Sequence, residues 1–219
     1  MSRSLRIALI ASARFPIREP FAGGLEAHTW SLASALRARG HRVSLFAALG
    51  SDPALGVREL TVHTPRLSAA ARADISMTDP AVLHEHHAYL RLMLDLARGD
   101  GPHAYDLAHN NSLHYLPVAM APAVPFPVVT TLHTPPTPWL ESAIQTGTPH
   151  TCTFTAVSGH TARSWQPLVR AARVVHNGID LRRWPVGPGG GGGWCGRGGW
   201  SPRRGRTSPS RPPAPPACR

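Results

Sequence analysis

Two adjacent glycines follow the first apolar run of the chain and precede its first helical pattern. They are Gly23 and Gly24, in the segment FAGGLEAH. Glycine lets backbone N–H groups come close to an anion, and the N-terminus of a helix favours negative charge. The segment therefore predicts contact with a phosphate or a sugar oxygen, and a tight turn without a ligand is the alternative. It has neither the GxGxxG spacing of a dinucleotide site nor the lysine of a Walker loop.

A histidine followed by a proline-rich loop is the second candidate. The sequence VVTTLHTPPTP places His133 and Thr134 directly after a run of β-branched residues that predicts a strand. Prolines hold such a loop extended and rigid. We predict that His133 is a catalytic residue, presented at the edge of a sheet as a fixed hydrogen-bond donor or acceptor. A surface histidine in a rigid turn is the alternative.

Other polar residues also follow predicted strands. The carboxyl ends of parallel strands meet at one edge of a sheet, and open α/β sheets bind their ligands there. Besides Gly23, Gly24 and Thr134, the candidates for substrate binding at this edge are His109, Asn110, Ser158 and Asn177.

Two familiar kinds of catalytic site are disfavoured. His84 and His87 of the segment HEHH share a helix face, but the segment is not HExxH and no distant third ligand is evident. A solvated helix face is the preferred interpretation, and no metal is expected. A serine hydrolase is disfavoured because the segment VSGH lacks the first glycine of a GxSxG elbow.

The net charge of +11 does not by itself indicate a nucleic-acid partner. All 23 basic residues are arginines, and six of them lie in the last 33 residues, which contain no Asp or Glu. The first 186 residues carry 17 arginines against 12 acidic residues, a net charge of only about +5. Nucleic-acid binding needs basic residues beside stacking or base-reading groups. We therefore expect no nucleic-acid partner.

The elements that must position these residues alternate between strands and helices. The first strand is the continuous apolar run RIALIAS, which is typical of a strand buried on both faces. Several prolines argue against a helix in the apolar region 115–129. We predict strands at 6–12, 41–48, 57–64, 106–110, 126–134, 153–159 and 173–178, and helices at 25–40, 79–98 and from 158 onward. This order predicts a doubly wound α/β fold, a Rossmann-like parallel sheet with flanking helices.

In their joint order and spacing, these pieces resemble the N-terminal half of a family 4 glycosyltransferase of the GT-B fold. The resemblance covers residues 5–185 and rests on the segments RIALI, GGLEAH, LASALRARGHRVSLF, YDLAHNNS, PVVTTLHTPP, FTAVSGHTARSW and VVHNGIDLRRWP. It implies two Rossmann-like lobes that face a cleft. The N-terminal lobe then holds mainly the acceptor, and the C-terminal lobe holds mainly the nucleotide-sugar donor. It also implies retention of the anomeric configuration without a metal or another cofactor.

The resemblance assigns roles to individual residues. Gly23 and Gly24 match the glycine loop near the donor phosphates or the acceptor, and His133 matches the histidine near the reacting sugar. Asn177 belongs to the turn that leads to the interdomain linker. His109 and Ser158 match less tightly, and the segment VSGH departs from the usual V-S-E, which puts an acidic contact there in question.

The segment after residue 185 has a different composition. Of residues 187–219, 17 of 33 are Gly or Pro, and such a segment cannot bury enough apolar surface to offset its ordering entropy. We predict one domain, 1–185, and a disordered tail, 186–219. A neighbouring reading frame of WCGRGGWSP permits L-V-W-S-G-R-L-V-P, which resembles the start of the family's second lobe. The tail is therefore interpreted as a frameshift product, and a natural disordered tail is the alternative.

The function implied by the resemblance is that of the acceptor-side lobe of a retaining, nucleotide-sugar-dependent glycosyltransferase. Its partners in the intact enzyme are a nucleotide sugar and a hydroxyl acceptor. Because the donor-binding lobe is missing, we expect this chain to be inactive or nearly so. A non-catalytic module that binds a sugar or a partner protein is the alternative.

The location expected from the sequence is the cytoplasm. The three cysteines at 152, 195 and 218 form neither a disulfide framework nor a CxxC site, and we interpret them as reduced thiols. No run approaches the roughly 18 apolar residues of a transmembrane helix. Peripheral contact with a membrane stays open.

Overall fold

The computed structural model describes residues 3–60, 62, 66–76, 79–99, 105–147 and 152–181. All of these residues lie in one compact unit, Met1–Gly187. The predicted domain boundary at 185, the tail at 186–219 and its interpretation as a frameshift product fall outside the described residues.

The described strands form one parallel sheet. They are β1 (Arg6–Ile10), β2 (Arg42–Ala47), β3 (Val57–Glu59), β4 (Leu107–Asn110), β5 (Val128–Leu132), β6 (Cys152–Ala156) and β7 (Arg173–Val174). Their order in the sheet is β3-β2-β1-β4-β5-β6-β7, and every neighbouring pair is parallel. The predicted doubly wound α/β fold is thereby confirmed. The chain builds outward in one direction from β1 and in the other from β4.

Helices connect these strands. They are α1 (Gly24–Ala38), α2 (Ala69–Ala73), α3 (Pro80–Arg98), α4 (Leu116–Ala119), α5 (Pro138–Thr146) and α6 (Gly159–Trp165), with 3-10 turns at Pro53–Leu55 and Ala121–Ala123. The long helix α3 begins as predicted, because the Asp79 side chain accepts a hydrogen bond from the Ala81 N–H. It ends at Gly99, whose left-handed conformation favours glycine.

The core lies on both faces of β1. Leu9 packs with β2 residues and with Ala33 of α1, whereas Ala8 and Ile10 pack with Tyr89 and other residues of α3. This two-sided burial explains why β1 is a continuous apolar run. We call these two sides of the sheet the α1 face and the α3 face.

Helix α3 also holds the loop that follows β1. The Tyr89 hydroxyl donates to the carbonyl oxygen of Ala11 at 2.8 Å and accepts from the Ala13 N–H at 3.1 Å. Burial raises the pKa of this phenol well above its ordinary value. The first residues of the loop that leads to Gly23 are therefore fixed against α3.

Most predicted strands extend too far at their carboxyl ends. β1 ends at Ile10 instead of residue 12, β5 at Leu132 instead of 134, and β6 at Ala156 instead of 159. The predicted strand 173–178 has only two residues, Arg173–Val174, because its neighbour β6 ends at Ala156. In the described part of the predicted strand 57–64, pairing with β2 covers Val57–Glu59. The described residues beyond the ends of β1, β5 and β6 form loops at the edge where ligands are expected.

The helices α2, α4 and α5 were not predicted, whereas the helix predicted from 158 onward is α6, Gly159–Trp165. Pro117 and Pro138 lie in the first turns of α4 and α5. A proline is tolerated there because the first N–H groups of a helix have no intrahelical acceptor. The argument from prolines against a helix in 115–129 was therefore wrong for Leu116–Ala119.

No helix within the described ranges has both the length and the apolar character that a bilayer crossing requires.

Candidate substrate-binding site

The strand order reverses between β1 and β4, which are hydrogen-bonded neighbours. In open α/β sheets the loops diverge at such a point and leave a crevice beyond the carboxyl ends of the strands. Asn111 follows β4 directly, and its N–H donates to the carbonyl oxygen of Ile10 at 2.8 Å. Asn111 therefore lies at the point of the sheet edge where the topology predicts the crevice.

Three polar side chains meet at this point. The Nε2 of His133 lies 2.9 Å from the Oδ1 of Asn111. The ring of His28, which is in the second turn of α1, contacts the ring of His133 edge-on at a centroid distance of 5.1 Å. Hydrogen bonding by the Asn111 side chain also acts to raise the pKa of His28, so His28 lies beside the same amide. We call Asn111, His133 and His28 the histidine–amide cluster.

A polar row on the α1 face of the sheet adjoins this cluster. His109 is paired in register with Leu9, and Leu9 packs with α1. The Nε2 of His109 lies 2.8 Å from the Thr131 hydroxyl, and that hydroxyl lies 3.0 Å from the hydroxyl of Thr155. His109 and Asn111 are two residues apart, as are Thr131 and His133, so the alternation of a strand directs them to one face.

The histidines of the site are held uncharged. Burial, reinforced by His28 and His109, lowers the pKa of His133 to about 4. Burial and then His28 lower the pKa of His109 to about 4. Burial also lowers the pKa of His28, although its hydrogen bond to Asn111 acts in the opposite direction. At neutral pH each imidazole therefore has one N–H donor and one acceptor nitrogen.

Among the residues described, the side-chain amide of Asn111 has an unpaired hydrogen-bond donor. Its side chain is fully buried, and within the described part of the chain its Nδ2 has no hydrogen-bond partner. Leaving a buried donor unpaired costs about 1–3 kcal/mol. Such exceptions are uncommon in folded proteins and call for a specific explanation, such as a functional role.

The N-terminus of α1 lies one helical turn before His28. Gly23 is its N-cap and Gly24 its first residue; both are exposed, and neither has a positive φ. A Cβ at Gly24 would meet nothing within 4 Å, so the backbone there is open to a ligand. Glu26 in the first turn is only 5% exposed, and its carboxylate forms no hydrogen bond or ion pair with another described residue.

The structure brings together some of the residues predicted from the sequence. His133 and His109 lie on the same face of the sheet, and Thr134 follows His133, where its carbonyl oxygen accepts a hydrogen bond from the Trp165 indole N–H at 2.7 Å. Ser158 caps α6, because its hydroxyl accepts from the Thr161 N–H at 3.1 Å. Asn177 lies exposed beyond β7.

Asn110 is placed differently from Asn111. It is fully buried, its Oδ1 accepts from the N–H and the hydroxyl of Ser112, and its Nδ2 donates to the Thr130 hydroxyl at 3.4 Å. Its neighbour in the strand, Ala108, belongs to the core on the α3 face. The described contacts of Asn110 therefore hold the β4–α4 turn, and the amide next to His133 is that of Asn111.

The HEHH segment lies in α3. His87 is exposed, as expected for a solvated face, but His86 is half-buried and its Nδ1 lies 2.9 Å from the Tyr115 hydroxyl. Within the residues that the structure describes, no three His, Cys, Asp or Glu side chains come together as a metal site would need.

Sequence reasoning missed His28, Asn111 and Glu26. A signal for His28 was present, because it follows Gly24 by four residues and so lies on the same face of the helix. The two asparagines at the carboxyl end of β4 could have been separated only by knowing which strand residues face α1. Glu26 carries a weaker signal, its place in the first turn of a helix.

Comparisons with known proteins give one family match. A family model described as Glycosyltransferase Family 4 matches residues 22–183. The chain is also similar to a solved structure, the crystal structure of SsfS6, a glycosyltransferase of Streptomyces sp. SF2575, at 22% identity and a TM-score of 0.36. This match covers 64% of the present chain and 43% of that chain. No curated protein matches the sequence.

Proposed function

The chain belongs to glycosyltransferase family 4, as an N-terminal lobe of that family, and from this premise we propose that its sheet edge is the acceptor side of a sugar-transfer site. The donor is a nucleotide sugar, the acceptor is a hydroxyl group, and the anomeric configuration is retained. The observation that carries the proposal is the contact of His133 with Asn111. His28 of α1 contacts the ring of His133 and so connects this pair to the start of that helix.

The chemistry of transfer indicates what these residues do. The acceptor oxygen forms a bond to the anomeric carbon as the bond from that carbon to the donor phosphate breaks. The departing diphosphate keeps the electron pair and takes up the proton of the acceptor hydroxyl. The exposed backbone of Gly23 and Gly24, at the N-terminus of α1, is suited to meet the resulting negative charge. His133 orients a sugar hydroxyl by hydrogen bonding. We assign no protein nucleophile.

Positioning supplies most of the catalysis in this proposal. Holding donor and acceptor in a reactive geometry removes a large entropic part of the barrier. A neutral His133, fixed by a buried amide, is suited to that role because it offers one nitrogen in a set direction. In keeping with the family resemblance, the proposed reaction uses no metal and no other cofactor. We also propose that His109, Thr134, Ser158 and Asn177 contact the substrate.

The proposal includes a cytoplasmic location. Cys152 is a free thiol, and such thiols stay reduced in the cytoplasm. Burial raises the pKa of this thiol to about 11, so it is a weak nucleophile and takes no part in the proposed reaction.

We expect the 219-residue chain to release almost no nucleoside diphosphate from a panel of nucleotide sugars, because the resemblance assigns most donor contacts to a second lobe. Translation of the neighbouring reading frame after the glycine run is expected to restore release. In that longer product, His133→Ala should lower kcat about a hundredfold, and His160→Ala, at an exposed position of α6, should leave it unchanged. The assay is chromatographic measurement of the released diphosphate.

Two results would each contradict a part of this proposal. Robust turnover by the 219-residue chain would show that no second lobe is needed. Transfer by the longer product that is indifferent to His133→Ala would remove the catalytic role of the cluster. If no neighbouring frame of the gene encodes a second lobe, and a sugar still binds at the sheet edge, the non-catalytic binding module is the better account.

A further inference from the structure

Asn111 lies beside both histidines of the histidine–amide cluster. Its Oδ1 lies 2.9 Å from the Nε2 of His133, and hydrogen bonding by its side chain acts to raise the pKa of His28. An amide oxygen has no hydrogen to donate, so the proton of this contact belongs to Nε2 of His133. A neutral imidazole has only one N–H, which leaves Nδ1 as its acceptor nitrogen.

We propose that Asn111 is a positioning residue that fixes the tautomer and the orientation of His133, so that Nδ1 accepts a hydrogen bond from a hydroxyl of the bound sugar. The part of this statement that concerns the sugar rests on the proposed function. The part that concerns the tautomer is a property of this chain alone and is measurable without a substrate.

The surroundings of Asn111 support a fixed orientation. Its backbone N–H is bonded to the carbonyl oxygen of Ile10 at 2.8 Å, and its side chain is fully buried. The backbone from which this amide extends is therefore fixed to β1. Its unpaired Nδ2 is a further donor beside the two imidazoles, which a ligand oxygen at the crevice would satisfy.

The uncharged amide at position 111 also affects the pKa of His133. The titratable groups that face His133 are His28 on α1 and His109 on β4, and both lower its pKa. A carboxylate in place of the amide would stabilise the charged form of His133, because an opposite charge at hydrogen-bond distance favours the ion. Asparagine offers the same acceptor oxygen without that effect, so His133 is oriented and stays neutral.

The experiment is side-chain ¹H–¹⁵N NMR of the whole 219-residue chain with ¹⁵N-labelled histidine. His133→Gln identifies the signals of His133. We expect a single neutral tautomer at pH 7, with the proton on Nε2. In Asn111→Asp the pKa of His133 should rise by about 1–3, which is a tenfold to thousandfold gain in proton affinity. Gln166→Glu, the same chemical change at the exposed residue that follows α6, is the control and should leave His133 unaltered.

A proton on Nδ1 of His133 in the unsubstituted chain would overturn the proposal, because the amide would then face the ring with its nitrogen. An even mixture of tautomers would overturn it as well. These two outcomes need no variant, so they remain decisive if Asn111→Asp does not fold. An Asn111→Asp protein that folds, and in which His133 titrates as in the unsubstituted chain, would also contradict it. Failure of the longer product to transfer sugar would by itself count against the proposed function, since the tautomer is read without substrate.

Discussion

Replacement of Trp165 by alanine is expected to lower the free energy of unfolding by about 3–5 kcal/mol, the range for a large aromatic residue deleted from a core. Trp165 is fully buried and packs with Leu132, Leu140 and Ala156. Its indole N–H also donates to the carbonyl oxygen of Thr134 at 2.7 Å, which ties α6 to the loop after His133. The measurement is urea-induced unfolding followed by circular dichroism.

Trp139→Ala is the matched control for this prediction. Trp139 is 65% exposed and stacks on Tyr115 at a centroid distance of 5.2 Å, so its removal should cost about 1 kcal/mol. Trp165→Phe keeps much of the packing and should fall between the two variants. Equal losses in Trp165→Ala and Trp139→Ala would show that α6 does not anchor the His133 loop.

Acidification from pH 7 to pH 5 is expected to lower the free energy of unfolding by about 2–5 kcal/mol. Burial is the main cause that lowers the pKa of His109, His114 and His133 to about 4 each, from an ordinary value of 6.5. Between those two values the unfolded chain binds protons that the folded chain does not, so stability is complete above pH 6.5 and is lost as the pH falls towards 4. The expected loss is discounted for the partial exposure of His114 and His133 to solvent.

Unfolding by urea at a series of pH values measures this loss. His109→Gln removes one of the three groups and should reduce the loss by roughly a third, whereas His160→Gln, at an exposed position, should leave it unchanged. Hydrogen bonds from the hydroxyl and the backbone of Ser76 lower the pKa of Asp74, and a hydrogen bond from the backbone of Arg6 lowers the pKa of Asp106. These two carboxylates change stability only below their ordinary pKa of 3.8, which is outside the range from pH 7 to pH 5. Stability that is constant from pH 7 to pH 5 would contradict the burial of these imidazoles.

The fold could be predicted from the sequence because its strongest signals are local. The run RIALIAS requires burial on both faces, and α3 has its cap, its first-turn proline and its spaced leucines within one segment. The ends of strands could not be predicted equally well. β6 stops at Ala156 and limits β7 to two residues, which is a property of the neighbouring strand and not of the local sequence. α4 was missed because the prolines in 115–129 were taken for helix breakers, and α5 because Pro138 was assigned to the extended loop after His133.

The candidate site was predicted in part. His133 stands out by its proline loop, and His109 by its place at the end of a strand. The choice between Asn110 and Asn111 depends on which side of the sheet α1 covers, and that is decided by the packing of Leu9 and Ala33. His28 is brought to His133 only when α1 docks on that face. Contacts between residues of different elements cannot be predicted from the local sequence around either residue.

Backbone ¹H–¹⁵N spectra of the chain, recorded while sugars and nucleotide sugars are added, test the central claim most directly. That claim places the sugar ligand at the crevice between β1 and β4. At millimolar ligand we expect the amides of Gly23, Gly24, Asn111 and His133 to shift, with no change at Arg6, Arg42 and Asp106, which lie at the opposite edge of the sheet. Shifts confined to that opposite edge, or no shift at the crevice with any sugar of the panel, would contradict the account.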